Sequence, residues 1–347
     1  MLYYTLKVVE IRPETSDTVT LVFKQPALKK LKYEPGQYLT LIFRINGRRY
    51  IRPYSFSSAP LVDSNIEVTV KRVSGGIVSN HIIDKVQIGD MIEAMEPLGD
   101  FTLNNEFVDD QTHIVLWGAG SGITPLVSIA KYALHTRCVK HVTLVYGNRT
   151  TENVIFKNTI NQLKLSFGEL FSPWHFYTQF YVSADEPYVV KGRIDAKTVL
   201  KVMGKEKDLS NTVHYICGPA GLKESIKETL KYFGINDNLI LSEDFEIERD
   251  AKLLTDVITR NVILNCNGQS TEIKVIKGKS ILEAGLDALL ELDYSCQTGN
   301  CKLCKARINK GEVKMVGVKL QHDELKPDEC LMCCSFPLTE SIELSIE

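Results

Sequence analysis

Six of the nine cysteines lie between Cys296 and Cys334, and this crowding limits what the C-terminal part of the chain can be. The N-terminal residues, Met1 to Glu10, predict a strand and carry no basic segment leading into an apolar core, so no export signal is expected. Clustered cysteines in a protein without such a signal favour a metal or cluster site over a disulfide framework. The pattern therefore predicts a cytoplasmic protein with a metal centre. The other three cysteines are scattered singly, at Cys138, Cys217 and Cys266.

The spacing of the first cysteines in this cluster points to iron and sulfur. The segment Cys296–Cys304 reads C-x4-C-x2-C, the spacing of plant-type ferredoxins, in which a distant fourth cysteine completes a [2Fe-2S] site. Gly299 supplies the permissive backbone that a tight ligand loop needs. A structural zinc site built from two C-x2-C pairs is the alternative, but it leaves Cys296 without a role. The zinc pairs would be Cys301 with Cys304 and Cys330 with Cys333.

Length and composition set the number of domains and exclude some partners. At 347 residues the chain exceeds the usual size of one hydrophobic core, so two or three domains are expected. A net charge of -2 argues against a nucleic-acid-binding protein, and no run reaches the roughly 18 apolar residues of a membrane span. Small molecules and other proteins are therefore the expected partners, with no nucleic acid and no membrane.

The pattern of apolar residues divides the chain into three segments. Residues 1–104 contain short β-rich runs separated by turns, which predict an antiparallel β-barrel or sandwich. Residues 105–248 alternate apolar strands with helical stretches, as in a parallel α/β sheet. A charged linker, 249–260, leads to residues 261–347, which predict a small α+β domain with a helix near Ile281 to Leu290. The chain is therefore expected to be a multidomain protein.

Two motifs in the first segment are suited to a flavin. Arg52, Tyr54 and Ser55 place a cation, an aromatic ring and a hydroxyl on one strand, where the guanidinium could hold a phosphate. Downstream, Gly75-Gly76 precedes a helix expected to start near Ser79, whose free N–H groups could receive a pyrophosphate. Alone, each motif could also be a barrel strand with an edge arginine or an ordinary glycine turn.

The second segment carries two turns suited to a dinucleotide. A strand ending at Trp117 runs into the glycine-rich turn 118–125, with Thr124 a possible N-cap of the next helix. Cys217-Gly218-Pro219 ends a later strand, and ligands of parallel sheets bind at that carboxyl edge. No acidic residue follows at the usual interval to bind a ribose, and Cys217 could be only a small buried hydrophobe.

Together these motifs resemble the ferredoxin-NADP reductase superfamily, with its Arg-x-Tyr-Ser and Gly-x-x-Ser flavin motifs and its Gly-x-Gly-x-Gly-x-Thr-Pro and Cys-Gly-Pro turns. The resemblance implies that Arg52 contacts the flavin phosphate, Tyr54 stacks on the isoalloxazine and Ser55 hydrogen-bonds near its N5. It also implies that a Glu-x-Phe segment brings Phe245 near the flavin. The implied catalytic residues are Tyr54, Ser55, Cys217 and Phe245. The other implied cofactor-binding residues are Ser57, Gly75, Gly76, Ser79, Gly118, Gly120, Gly122, Thr124, Pro125, Gly218 and Pro219.

With the cysteine cluster included, the chain resembles the reductase components of multicomponent oxygenases, most closely the phenylacetyl-CoA epoxidase reductase group. This implies a β-grasp ferredoxin domain whose ligands are Cys296, Cys301, Cys304 and Cys333. The segment after Leu331 is similar to the family's Leu-x-Cys-Gln-x-x-Pro, which aligns Cys333 with the fourth ligand and puts Cys334 in the place of Gln. Gln297 and Lys302 also depart from the family pattern, which commonly has Arg and Gly there.

The implied activity is electron transfer from NAD(P)H through FAD and the [2Fe-2S] cluster to a partner oxygenase. A flavin is needed because a nicotinamide gives two electrons as hydride whereas the cluster accepts one. FAD is favoured over FMN because the phosphate loop suits a dinucleotide. Arg149 could pair with the 2′-phosphate of NADPH, although Ala184 stands where NADPH-using relatives often have Arg, so NADH stays open. A reductase of a cytochrome, ferredoxin or desaturase stays open as well, as does a non-catalytic electron-transfer subunit.

Overall fold

The computed structural model describes residues 2–27, 30–103, 106–179, 188–204, 209–247, 249, 251–266, 268–320 and 324–346. These residues form two compact units, which are described separately. The first combines Met1–Phe43 with Tyr54–Glu243, and the second combines Arg44–Pro53 with Asp244–Glu347. No helix in the described ranges has both the length and the apolar character to cross a lipid bilayer.

The N-terminal part of the chain forms an antiparallel six-stranded sheet in the order β4-β3-β6-β1-β2-β5. Its strands are β1 (Tyr3–Thr15), β2 (Thr18–Phe23), β3 (Tyr38–Ile45), β4 (Arg48–Ser55), β5 (Ile66–Lys71) and β6 (Met91–Met95), and helix α1 (Ile77–Lys85) follows β5. Burial alternates along β1, where Leu6 and Val8 are buried while Thr5 and Lys7 are exposed. Phe56, directly after β4, bridges Val68 of β5, so the last strands of the sheet meet and the sheet curls into the predicted barrel.

The parallel sheet predicted for the second segment is confirmed, with the order β10-β9-β8-β7-β11-β12. Its elements are β7 (His113–Ala119), α2 (Ile123–Thr136), β8 (His141–Asn148), α3 (Lys157–Phe167), β9 (Phe171–Tyr177), β10 (Val189–Lys191), α4 (Ala196–Met203), β11 (Thr212–Cys217), α5 (Ala220–Tyr232) and β12 (Ile240–Glu243). Strand β7 is apolar on both faces: Ile114 and Leu116 pack in one core and Val115 and Trp117 in another. The chain leaves β7 in one direction to β8 and returns on its other side as β11. The turn after β7 therefore lies at the switch point of the sheet, where ligands of such folds bind.

The second unit holds a five-stranded sheet in the order β14-β13-β19-β15-β17 and a two-stranded sheet of β16 and β18. Its elements are β13 (Arg260–Cys266), β14 (Gln269–Val275), α6 (Ile281–Asp287), β15 (Lys305–Lys310), β16 (Val313–Met315), β17 (Glu329–Leu331), β18 (Ser335–Pro337) and β19 (Ile342–Ile346). Ser280 and Glu283 form a capping box at the start of α6. The helix ends at Asp287 rather than near Leu290, because Leu289 adopts a left-handed backbone with φ of 61°. This α+β arrangement is the predicted β-grasp fold.

A buried ion pair joins the barrel to the parallel-sheet region within the first unit. Lys131 of α2 lies with its Nζ 2.5 Å from Asp63 Oδ2, and it donates to the carbonyl of Ser57 at 3.3 Å. The neighbouring Ser128 hydroxyl donates to the carbonyl of Ser58 at 2.6 Å. Helix α2 therefore contributes both to the dinucleotide turn at its start and to the contact with the barrel.

We expect Lys131→Met to lower the free energy of unfolding by about 3 kcal/mol, because it leaves the Asp63 carboxylate without its cation in a poorly hydrated place. The side chains of Lys131 and Asp63 are only 11% and 23% exposed. Urea denaturation followed by tryptophan fluorescence measures the loss. Lys140→Met, at an exposed lysine, is the matched control and should shift the midpoint little. Equal midpoints for the two variants would contradict the structural importance of the pair.

Candidate active site and cluster site

Two backbone turns meet at the carboxyl edge of the parallel sheet. Gly118 at the end of β7 is paired in register with Cys217 at the end of β11. A Cβ atom on Gly122 would lie 2.1 Å from the carbonyl oxygen of Cys217, and one on Gly218 would lie 2.9 Å from Leu222 Cδ2. Gly120 has φ of +54° and accepts a hydrogen bond from the Tyr146 hydroxyl at 2.9 Å. Gly122 is thus required where the two turns touch, and Gly120 supplies the left-handed backbone of the turn.

The start of α2 is suited to an anion. The helix begins at Ile123 with Gly122 as its N-cap, so the predicted N-cap role of Thr124 is wrong; its hydroxyl donates to the carbonyl of Ser121 at 3.0 Å instead. Pro125 lies in the first turn, where it removes no helical hydrogen bond. No side chain caps the N-terminus, so its N–H groups and the helix dipole can act on a dinucleotide pyrophosphate.

The flavin motif and the nicotinamide motif converge on Glu243. Glu243 at the end of β12 is paired in register with Cys217, and the Ser55 hydroxyl donates to Glu243 Oε2 at 3.4 Å. Ser55 and Cys217 are both buried, at 5% and 1% exposure. Ser55 thus contacts Glu243, and Glu243 lies beside Cys217 in the sheet, so three residues far apart in the chain come to the same sheet edge. Glu243 was not among the predicted site residues, although the Glu-x-Phe motif contained it.

The other residues of the flavin motif have different surroundings. Tyr54 is partly exposed on β4, whereas Ser57 is buried and its hydroxyl accepts a hydrogen bond from Thr69 at 3.0 Å. Phe245, in the second unit, is 48% exposed. Also in that unit, Arg52 Nη1 donates to the carbonyl of Ile51 at 2.8 Å. The roles of these residues stay predictions.

The expected phosphate loop has the right backbone. Helix α1 starts at Ile77, two residues before the predicted position, with Gly76 as its N-cap and no capping side chain. Gly75 has φ of +71°, and a Cβ atom on Gly76 would lie 2.8 Å from Ser79 Oγ. The Ser79 hydroxyl accepts a hydrogen bond from the N–H of Val73 at 3.1 Å, which fixes the shape of the turn. Because no side chain caps α1, the N–H groups of its first turn are available to a phosphate.

The structure leaves the choice of nicotinamide open. Arg149 follows β8 at the same carboxyl edge and is exposed, with its carbonyl accepting from the N–H of Gln179 at 2.9 Å. Ala184, the residue that argued for NADH, lies outside the described residues. Arg149 thus has room to meet a 2′-phosphate.

The four predicted ligand cysteines come together as two pairs of thiols. Cys296 lies beside Cys301, and Cys304 lies beside Cys333, close enough in each pair for one thiol to shift the pKa of the other. The N–H groups of Thr298 and Cys301 also donate to the sulfur of Cys296, each at 3.4 Å. The hydrogen bond from Cys301, with those from the N–H groups of the loop, lowers the pKa of Cys296 to about 5. The loop therefore stabilises a thiolate.

This arrangement in pairs suits two irons better than one zinc ion. Within the part of the chain that the structure describes, no three His, Cys, Asp or Glu side chains surround a point that one metal ion could occupy. A [2Fe-2S] cluster instead takes two cysteines on each iron. Burial raises the pKa of the Cys330 thiol, which the zinc alternative needs, to about 11. The donor set therefore fits the iron–sulfur cluster.

The ligand loop needs several left-handed residues. Gln297, Gly299 and Lys302 have φ of 54°, 76° and 60°. The left-handed backbone of Lys302 is one that suits glycine, the residue that the family resemblance leads us to expect there. A Cβ atom on Gly299 would lie 2.7 Å from Cys334 Sγ and 2.8 Å from the carbonyl oxygen of Gly317. Only glycine fits there.

Sequence reasoning missed a second group of residues in the second unit, around the hairpin tip Arg44–Pro53. The buried Tyr294, two residues before Cys296, accepts hydrogen bonds from the N–H of Ile51 at 3.2 Å and from Arg52 Nη1 at 3.5 Å. Further pairs join Arg44 to Glu291, Arg48 to Asp287 and Arg49 to Asp293. Four arginines so close in sequence were the available signal.

Comparison with known proteins agrees with this geometry. Residues 5–103 match the oxidoreductase FAD-binding domain, residues 116–228 the oxidoreductase NAD-binding domain, and residues 264–338 the 2Fe-2S iron-sulfur cluster binding domain. The chain is 30% identical to a subunit of 1,2-phenylacetyl-CoA epoxidase from Escherichia coli (strain K12), over 99% of this chain and 98% of that protein. It is 29% identical to the ferredoxin reductase component of 3-ketosteroid-9-alpha-monooxygenase from Mycolicibacterium smegmatis, over 99% and 96%.

A solved structure of phthalate dioxygenase reductase has the same fold, with a TM-score of 0.68 and 22% identity over 99% of this chain and 98% of that one. The three matched domains establish FAD, NAD(P)H and a [2Fe-2S] cluster as the cofactors of an oxidoreductase. Full-length similarity at 30% identity extends this to the order of the domains. The chain therefore belongs to the ferredoxin-NADP reductase superfamily, in the group that joins an FAD-binding, an NAD-binding and a C-terminal [2Fe-2S] domain.

Proposed function

We propose that this protein is the reductase component of an oxygenase system, with a phenylacetyl-CoA epoxidase as the first candidate partner. The observation that carries the proposal is the convergence of Ser55, Cys217 and Glu243, which brings the flavin motif and the nicotinamide turn to one place. The four paired thiols of the second unit would hold the [2Fe-2S] cluster, which transfers single electrons. The full-length similarity to oxygenase reductases supports the class of partner.

The chain's own residues would hold the nicotinamide rather than act as acid or base. FAD supplies the conversion of a two-electron hydride into single-electron transfers. The glycine turn 118–122 and the start of α2 would hold the pyrophosphate, while Gly218 and Pro219 would border the nicotinamide. The buried Ser55 hydroxyl, the Cys217 thiol and the Glu243 carboxylate would orient the reacting rings and exclude water.

Arg52, Tyr54, Ser57, Gly75, Gly76 and Ser79 would hold the FAD, and Phe245 would lie near it. The predicted ligands Cys296, Cys301, Cys304 and Cys333 would hold the cluster. The domain limits proposed are 1–104, 105–248 and 261–347 with a linker at 249–260. A cytoplasmic location is also proposed, on the strength of the cysteine pattern.

The proposal is tested with the purified holoprotein and separately prepared oxygenase components. After anaerobic reduction with NADPH or NADH, the reductase is mixed with the oxidised catalytic component of a phenylacetyl-CoA epoxidase, phenylacetyl-CoA and dioxygen are added, and epoxide formation is measured. Oxygenase components of ketosteroid and glycine betaine monooxygenases serve as controls. Substrate turnover with an oxygenase supports the proposal. Rapid reduction of a cytochrome or ferredoxin without support of any oxygenase would contradict it, and failure to oxidise NAD(P)H would exclude a reductase that works alone.

Arg149→Ala is expected to raise the KM for NADPH about tenfold and to leave the KM for NADH nearly unchanged. The reason is that a charge-assisted hydrogen bond to the 2′-phosphate contributes about 1.5 to 3 kcal/mol, whereas NADH has no such phosphate. Steady-state reduction of ferricyanide with each nucleotide measures both constants. Equal effects on the two nucleotides would make Arg149 an ordinary surface residue.

A further inference from the structure

A second thiol lies against the fourth predicted ligand of the cluster. Cys334 Sγ is 3.6 Å from Cys333 Sγ, within the distance of a sulfur hydrogen bond. Cys334 is 1% exposed, so water does not compete for its proton. Its backbone is held as well, because its carbonyl accepts from the N–H of Val316 at 2.9 Å. The thiol is thus fixed beside a ligand sulfur.

The direction of this hydrogen bond follows from the chemistry of the ligand. A cysteine that binds iron is a thiolate and has no proton to donate. The one proton in the pair is then on Cys334, so Cys334 is the donor and the ligand sulfur of Cys333 the acceptor. We propose that Cys334 donates an S–H hydrogen bond to Cys333 and thereby raises the reduction potential of the [2Fe-2S] cluster. This inference rests on the proposed role of Cys333 as the fourth ligand.

The negative charge that the cluster gains on reduction determines whether this hydrogen bond raises or lowers the reduction potential. Reduction adds a negative charge to the cluster, and part of that charge falls on the ligand sulfurs. A donor aimed at such a sulfur stabilises the reduced form more than the oxidised form, and hydrogen bonds to the sulfurs are among the factors that set these potentials. The low-dielectric surroundings of a buried pair strengthen the effect.

The packing around Cys334 shows that its place is specific. A Cβ atom on Gly299 would lie 2.7 Å from Cys334 Sγ, so the thiol fills the space between the ligand loop and the fourth ligand. Cys330 is a fully buried cysteine three residues before Cys333 and is not among the predicted ligands. The chain therefore contains a matched control for a thiol that is buried nearby but not bonded to Cys333.

The test is a spectroelectrochemical titration of the cluster in the full-length holoprotein. Cys334→Ala and Cys334→Val both remove the donor and should lower the midpoint potential. Cys334→Ser keeps a hydrogen-bond donor, so its midpoint potential should lie above those of Cys334→Ala and Cys334→Val. Cys330→Ala should leave the potential unchanged. Resonance Raman spectra of the Fe–S stretching bands should change in Cys334→Ala and Cys334→Val but not in Cys330→Ala.

An unchanged or higher potential in whichever of Cys334→Ala and Cys334→Val retains the cluster would overturn the inference. Loss of the cluster in both, with a normal cluster in Cys333→Ser, would show that Cys334 is itself the ligand and would overturn the inference as well. The proposed reductase function would survive either result, because it is tested on the wild-type protein by its iron content, its oxidation of NAD(P)H and its support of an oxygenase.

Discussion

Cys333→Ser is expected to destroy or strongly perturb the visible absorption of the iron–sulfur cluster, while the flavin still accepts hydride from NAD(P)H. Replacement of a thiolate by an alcohol removes the soft ligand that iron–sulfur clusters use. The flavin and nicotinamide turns of the first unit are untouched by the change. Iron analysis and absorption spectra measure the first effect, and anaerobic stopped-flow bleaching of the flavin measures the second.

Cys330→Ser is the control for this experiment, since Cys330 is also buried, lies three residues from Cys333 and is not a predicted ligand. It should keep two irons and a normal spectrum. A normal cluster in Cys333→Ser, together with loss in Cys330→Ser or Cys334→Ser, would show that the fourth ligand had been misassigned.

The second large effect is expected from Gly122→Ala, which should slow NAD(P)H-dependent flavin reduction by about 100-fold. The new Cβ atom would fall 2.1 Å from the carbonyl oxygen of Cys217 and 2.5 Å from its carbonyl carbon. Both atoms belong to the backbone, so the two turns must move apart. A displacement of about 1 Å is enough to spoil the alignment of reacting groups.

Gly221→Ala is the matched control, because Gly221 lies in the first turn of α5 just beyond Pro219 and a Cβ atom there meets nothing within 4 Å. This change should leave the rate of flavin reduction intact and raise stability slightly, since alanine favours the helix. Wild-type flavin reduction in Gly122→Ala would mean that the contact between the turns does not position the nicotinamide.

The features that sequence predicted best are those with local causes. The turn 118–122 and the loop 296–304 could be predicted because the residues that define each of them are close in sequence. Glycine supplies the backbone freedom of the turn, and the spacing of the cysteines determines which thiols can bind the same cluster. The ends of helices were less predictable: α6 ends at Asp287, ahead of a left-handed Leu289, and the local sequence does not predict that conformation for a leucine. Fold class followed from the change of apolar period along the chain, which short segments are enough to show.

Contacts between distant segments could not be predicted in the same way. The Ser55 to Glu243 hydrogen bond joins residues 188 positions apart, and the Ile51 to Tyr294 bond joins residues 243 apart. Nothing in either local sequence specifies its partner; only the order of strands in the folded sheets does. Tyr294 was therefore not predicted to belong to any site.

The hairpin tip Arg44–Pro53 limits how the protein could be divided. This short piece of the N-terminal sheet is grouped with Asp244–Glu347 rather than with the strands beside it in sequence. A protein truncated after Glu243 would lose the hydroxyl that satisfies the N–H of the fully buried Ile51, and it would leave Arg44, Arg48 and Arg49 without their acidic partners. Separate production of the two parts would therefore require a redesigned hairpin, even though the charged linker predicted at 249–260 looks like a suitable truncation point.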